Sequence, residues 1–206
     1  MIRIFHVPRF RSVRVIWLME ELGEPYEVEA APFPLTEAFR ARTGVVAIPT
    51  IVDGDIVMGE SIAILQYLTG RRLQRSLELG LTVGPNPHPE RYAEHLQWLH
   101  FGEGSLMTHV ALLAMTRRLS PEGETGGFAA QLSRRILKAR LAALEGHLAD
   151  GRPYLTGEAF TIADISVGYA LAAAASGGME DLMGFRTRAY LALATARPAY
   201  LAAAAA

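Results

Sequence analysis

Cysteine is absent from all 206 residues of the chain. That excludes disulfides, thiolate metal ligands and a cysteine nucleophile, and it is compatible with a reducing compartment. An excess of charge of either sign is missing too. Twenty Lys and Arg stand against 21 Asp and Glu, spread along the chain, so neither nucleic acid nor an anionic membrane is indicated as a partner. No stretch approaches the roughly 18 uninterrupted apolar residues that a membrane helix needs. The opening Met1-Ile2-Arg3-Ile4-Phe5 has no charged region followed by a long apolar one, as a secretory leader would. The expected location is the cytoplasm. His95, His100 and His109 fall at irregular spacing on one predicted helix and form no metal-ligand pair, so no metal is expected.

What is present is apolar material. Half of the residues are hydrophobic, enough for one large domain or two smaller ones. Ile2, Ile4 and Phe5 predict a first strand ending near His6. From Ser12, the positions Val13, Ile16, Trp17, Met19 and Leu22 have helical spacing, and Gly23 is placed to end that helix in the left-handed conformation. Tyr26, Val28 and Ala30 alternate with glutamates as a strand does. Thr36 predicts the start of a short helix through about Arg42, closed by Thr43-Gly44. Thr50-Ile51-Val52 and Ile56-Val57-Met58 flank Asp53-Gly54-Asp55, a strong hairpin signal. Ser61, before Ile62, Ile64, Leu65 and Leu68, is expected to cap the next helix.

The first 77 residues therefore read as an α/β domain. Residues 78–87 lead into the Pro-rich run Gly84-Pro85-Asn86-Pro87-His88-Pro89, a boundary. Residues 88–206 read as all-helical, with long amphipathic stretches over 91–118 and 128–148 and shorter ones over 159–175 and 187–195. Thr161-Ile162-Ala163-Asp164 fits a capping box, a structural role. Met107 and Met115 are expected in the core, and Arg117-Arg118 and Arg134-Arg135 on a solvated face. The alanine-rich end is helix-favouring and says nothing chemical.

The order of these parts, with Pro8 to Gly23, Ile48-Pro49-Thr50, Glu60-Ser61 and Phe160 to Ser166 at their spacing, resembles the cytosolic glutathione transferases over essentially the whole chain. The resemblance implies a thioredoxin-like N-terminal domain, an all-α C-terminal domain, glutathione as co-substrate and a homodimer joined through the helix after Ser61 and the first long helix of the second domain. It implies attack of the glutathione thiolate on a small hydrophobic electrophile. Glu60, Ser61, Ile48 and Pro49 are the expected glutathione-binding residues. A helix N-terminus with Ser61 offers donors to the γ-glutamyl carboxylate, Glu60 an acceptor to its ammonium, and the main chain of Ile48 a pairing edge if the bond before Pro49 is cis, as in the family.

The thiol needs activation, because the thiolate is the nucleophile. Phe10 stands where the family often has a serine. Ser12, by its hydroxyl and the local N–H groups, and Arg11, by charge, are the candidates, with His6 behind them; Ser12 as a plain N-cap is the alternative. The acceptor pocket is expected between the domains, involving Phe10, Trp98, Phe101, Gly104, Met107 and Thr108. Two other functions are weighed against conjugation: a glutathione-binding carrier or regulator without turnover, and a glutathione-dependent isomerase or ether-cleaving enzyme.

Overall fold

The computed structural model describes residues 1–120 and 126–206. They form two compact units, one of residues 1–82 with 196–206 and the other of residues 83–195. The sequence expectation placed all of 88–206 in the helical part; the structure groups the last 11 residues with the first unit, because their helix packs against an N-terminal one.

In the first unit, β1 (Ile2–His6) pairs in parallel with β2 (Tyr26–Ala30) and antiparallel with β3 (Thr50–Asp53), which pairs antiparallel with β4 (Ile56–Gly59). The sheet order is β2-β1-β3-β4, a thioredoxin-like arrangement. Helix α1 (Ser12–Leu22) ends as its sequence predicts: Gly23 has φ 67°, and Glu24 N–H reaches back to Met19 C=O. Helix α2 (Glu37–Thr43) begins where the Thr36 hydroxyl accepts from Phe39 N–H and stops at Gly44, φ 71°. The hairpin turns at Gly54-Asp55. Helix α3 (Ser61–Arg71) is followed by α4 (Leu73–Glu78), a short helix ahead of the Pro-rich boundary. The core is built from Ile4, Ile16, Trp17, Leu18, Ile51, Ile64 and Leu65, and a second cluster of Phe5, Phe39 and Val45 sits beneath α2.

The last helix, α10, spans Pro198–Ala205 and lies on α1. Arg197 clamps Glu21 with two 2.6 Å bonds, and the Tyr200 ring stands edge-on to Trp17 at 4.8 Å.

The second unit is all-helical among its described residues. Helix α5 (Pro89–His100) runs through a seven-residue π-helical segment, Phe101–Met107, into α6 (Thr108–Leu119). Helix α7 spans Phe128–His147, α8 Ile162–Ser176 and α9 Phe185–Thr195. The π-helical turn has an identifiable cause in α8. The Ser166 hydroxyl donates to Leu99 C=O at 2.7 Å, inserting a side-chain donor beside the helical ladder, and Gly102 lets the backbones meet: a Cβ there would lie 2.6 Å from the Ser166 carbonyl carbon.

The capping box at the start of α8 is formed, with Asp164 accepting from Thr161 N–H at 2.8 Å. Asp164 also accepts from Leu155 N–H at 2.9 Å and from Tyr190 O–H at 3.0 Å, two partners that local sequence could not show. Met115 is corrected: it is 52% exposed, on the outer face of α6 with Leu112 and Leu119, whereas Met107 is buried. Arg117 and Arg134 are not simply solvated either, since Arg117 donates to the Gly177 carbonyl and Arg134 pairs with Asp181 at 2.5 Å.

Candidate functional site

Three loops meet at one edge of the sheet, and the strand register forces them together. Phe5 at the end of β1 lies opposite Thr50 at the start of β3, and Thr50 lies opposite Gly59 at the end of β4. The segments after β1, before β3 and after β4 therefore share that edge. A Cβ on Gly59 would stand 3.6 Å from the Pro49 carbonyl oxygen. Arg14, fully buried, donates from Nη1 to Ser61 Oγ at 3.0 Å and ties the first turn of α1 to that of α3.

On the α3 side, the expected cap is corrected. Glu60 is the N-cap and makes no side-chain capping bond, while Ser61 is the first helical residue and its hydroxyl serves Arg14. Glu60 has φ 64° and ψ 102°, a conformation that costs a non-glycine residue of order 1–3 kcal/mol and is held by the fixed ends of β4 and α3. Glu60 is exposed, and the N–H groups of Ser61, Ile62 and Ala63 precede the first helical bond, Ile64 N–H to Glu60 C=O at 2.9 Å. The Ile48–Pro49 peptide is cis. The Ile48 side chain packs toward Phe5, Phe39 and Val45, and its main chain precedes the β3 ladder, which starts at Thr50. Thr50 Oγ1 donates to Ala47 C=O at 2.7 Å and fixes the loop.

On the α1 side, Arg11 is the N-cap and Ser12 the first helical residue, so Ser12 is not the cap. Ser12 is fully buried. Its Oγ lies 2.9 Å from His6 Nδ1, with the Val7 carbonyl oxygen at 3.4 Å. His6 Nε2 is 3.2 Å from the main-chain oxygen of Ala206. Burial lowers the His6 pKa from its ordinary value, against a smaller raising effect of that bond. Arg9 precedes the helix with φ 68°. Phe10 is half-buried, its ring 4.5 Å from that of Phe33, which is itself largely exposed. The helix dipole makes the start of α1 favourable for an anion, while Val13 N–H and Arg14 N–H already donate to the Phe10 and Arg11 carbonyls at 2.9 and 3.1 Å.

The comparisons with known proteins agree on one family. The family model for "Glutathione S-transferase, N-terminal domain" matches residues 10–76, and that for "Glutathione S-transferase, C-terminal domain" matches residues 127–201. Glutathione S-transferase 3 of Schizosaccharomyces pombe is 31% identical over 183 residues, covering 80% of this chain and 70% of the relative. The chain belongs to the glutathione S-transferase superfamily.

Among solved structures, a glutathione transferase family member from Pseudomonas fluorescens with two glutathione bound is similar at TM-score 0.83. It is 25% identical, over 98% of this chain and 92% of that one. Ure2p in complex with glutathione is similar at TM-score 0.82 and 17% identity, over 100% of this chain and 93% of that one, a likeness of fold alone.

Within this transferase fold, the second-unit residues separate into two groups. Trp98 is core, packed between Phe101 at 4.8 Å and His147 at 4.4 Å, and Met107 is buried with it. Phe101, Gly104 and Thr108 recur along the π-helical segment and the start of α6, and all three reach solvent. His95 is buried and its pKa is lowered to about 4 by desolvation. His109 Nδ1 lies 3.3 Å from Ser133 Oγ. Among the described residues, no cluster of His, Cys, Asp or Glu could hold a metal ion, and no helix is long and apolar enough to cross a membrane.

Sequence reasoning missed Arg14 and Phe33 and gave His6 only a secondary place. Arg14 carried a signal, a charge inside the otherwise apolar run Val13 to Leu18. Phe33 carried none, because its partner Phe10 is 23 positions away.

Proposed function

We propose that the chain binds glutathione along this edge of its first unit and directs the thiolate onto a small hydrophobic electrophile. The observation that supports this reading is the joining of the first turns of α1 and α3 by the Arg14–Ser61 bond, beside the Pro49 loop. In the proposed complex, the γ-glutamyl carboxylate takes the N–H groups of Ser61 and Ile62, and Glu60 accepts from the ammonium. The extended middle of the tripeptide pairs with the main chain of Ile48 beside Pro49. The sulfur lies at the start of α1, where the helix dipole and Arg11 favour the thiolate.

Of the two sequence candidates for activation, Ser12 and Arg11, the burial of the Ser12 hydroxyl against His6 gives Arg11 and the helix dipole the larger share. The thiol proton passes to solvent, the sulfur forms a bond to the electrophilic carbon, and the leaving group departs with its electron pair. Phe10 and Phe33 offer the electrophile an apolar surface in this unit.

The second reading is binding without turnover, favoured by Phe10 in the loop and by the engaged Ser12 hydroxyl. Calorimetric titration with glutathione and turnover of a chlorodinitrobenzene test both. Saturable binding with turnover supports the transferase, binding without turnover over a broad panel of electrophiles selects the carrier, and absence of binding refutes both. We also propose a homodimer, which sedimentation velocity checks, and a cytoplasmic setting, which fits a cysteine-free chain using the glutathione pool and is checked by fractionation.

A further inference from the structure

Helix α10 grips α1 at two places. One is the middle and end of α1, through Tyr200 on Trp17 and Arg197 on Glu21. The other is its start, where the main-chain oxygen of Ala206 meets His6 and His6 meets Ser12. A main-chain oxygen has no proton to give, so the hydrogen of the 3.2 Å contact sits on His6 Nε2. The ring is 3% exposed, and burial favours its neutral form. A neutral ring with hydrogen on Nε2 accepts at Nδ1, so the Ser12 hydroxyl donates to it over 2.9 Å. The single Ser12 proton is thereby committed to His6, with the Val7 carbonyl at 3.4 Å the longer alternative. All of this lies in residues 1–82 and 196–206, the first unit.

We propose that His6 is a positioning residue which transmits the seating of α10 to the first turn of α1. With α10 in place, Nε2–H has its acceptor, Nδ1 holds Ser12, and the α1 N-terminus is fixed. With α10 lifted, the ring loses the partner that selects its tautomer. A hydrogen on Nδ1 then makes Ser12 Oγ the acceptor and sends its proton to the Val7 carbonyl at 3.4 Å, a longer bond, and the first turn is loosened. The consequence for chemistry rests on the reading that the glutathione sulfur lies at the start of α1: a loosened first turn stabilises a thiolate less well.

Two measurements test it. The first needs no glutathione: ¹⁵N NMR of the His6 ring in the wild-type full chain at pH 7. A neutral ring with hydrogen on Nε2 is expected, and hydrogen on Nδ1, or an imidazolium, overturns the proposal. Tyr200→Ala, which removes the ring seating α10 and leaves His6 and Ser12 intact, is expected to mix the two tautomers; an unchanged ring overturns it as well.

The second follows the thiolate absorbance of bound glutathione against pH. Tyr200→Ala and His6→Ala are each expected to raise the thiol pKa by about half a unit, roughly a threefold loss of thiolate below the pKa. His6→Asn, whose Oδ1 can replace Nδ1 as acceptor for Ser12, is expected to restore the wild-type value and to abolish the response to Tyr200→Ala. An equal response to Tyr200→Ala in the His6→Asn background, or no rescue by Asn, overturns the proposal. If wild-type protein binds no glutathione, the functional reading fails, while the NMR result still decides the role of His6.

Discussion

Replacing Asp164 should show how much of the helical unit hangs on one carboxylate. Its Oδ1 accepts from Leu155 N–H at 2.9 Å and Tyr190 O–H at 3.0 Å, and its Oδ2 from Thr161 N–H at 2.8 Å and Thr161 O–H at 3.0 Å. The group is fully buried, which pushes its pKa up to about 6 against the lowering effect of these four bonds, so at pH 7.5 it is ionised. An asparagine keeps the shape and one acceptor oxygen. Whichever way its amide turns, the NH₂ end faces one main-chain N–H, of Leu155 or of Thr161, while the hydroxyl on that side can reverse and accept. One buried donor is lost, at about 2 kcal/mol. Alanine abandons both main-chain donors and leaves the two hydroxyls to find other partners, at about 4 kcal/mol. Urea unfolding at pH 7.5, followed by far-UV circular dichroism, measures both. Equal losses for Asn and Ala, or a loss below about 1 kcal/mol for Ala, would refute the reasoning, because the four bonds would not be what holds residues 155, 161 and 190 together.

Other expectations follow from single residues. His95 is buried with its pKa lowered to about 4, so below pH 6.5 the unfolded chain takes a proton that the native ring refuses. Its contribution to stability is complete above pH 6.5 and is lost as pH falls toward 4, by up to about 3 kcal/mol. The raised pKa of Asp164 acts in the opposite sense over part of this range, so the slope to measure is the difference between wild type and His95→Leu in urea titrations from pH 4.5 to 7.5; parallel slopes would refute it. Gly102→Ala drives a Cβ against the Ser166 backbone and should cost about 2–3 kcal/mol, whereas Gly104→Ala meets open space and should be neutral or stabilising by up to about 1 kcal/mol; thermal unfolding separates them. Glu60→Gly relieves a positive-φ residue and should add about 1 kcal/mol of stability while weakening glutathione binding about tenfold by calorimetry. A variant that keeps its affinity would remove Glu60 from the proposed site.

Much of this architecture is written in short-range signals. Gly23 and Gly44 end their helices, Thr36 starts one, Asp53-Gly54-Asp55 turns the hairpin, and Thr161 with Asp164 opens α8, each through atoms within about four residues of one another. The order of those signals is enough to identify the two kinds of unit and to place Pro49, Glu60 and Ser61 on the sheet edge. The same signals misplace the caps by one residue at Ser12 and Ser61, because which residue is first helical depends on how the preceding loop enters the turn.

What the sequence alone determined is thus the kind of each element and which loops stand at its ends, since helix caps, turns and periodicity are set by neighbours along the chain. Tertiary structure alone decided the partners. Arg14 meets Ser61 across 47 positions, Ser166 meets Leu99 across 67, and His6 meets Ala206 across 200. No local pattern encodes these contacts. They arise when α10 returns to α1 and α8 packs on the π-helical segment, and they determine whether the Ser12 hydroxyl is a surface donor or, as found, a buried one already held by His6.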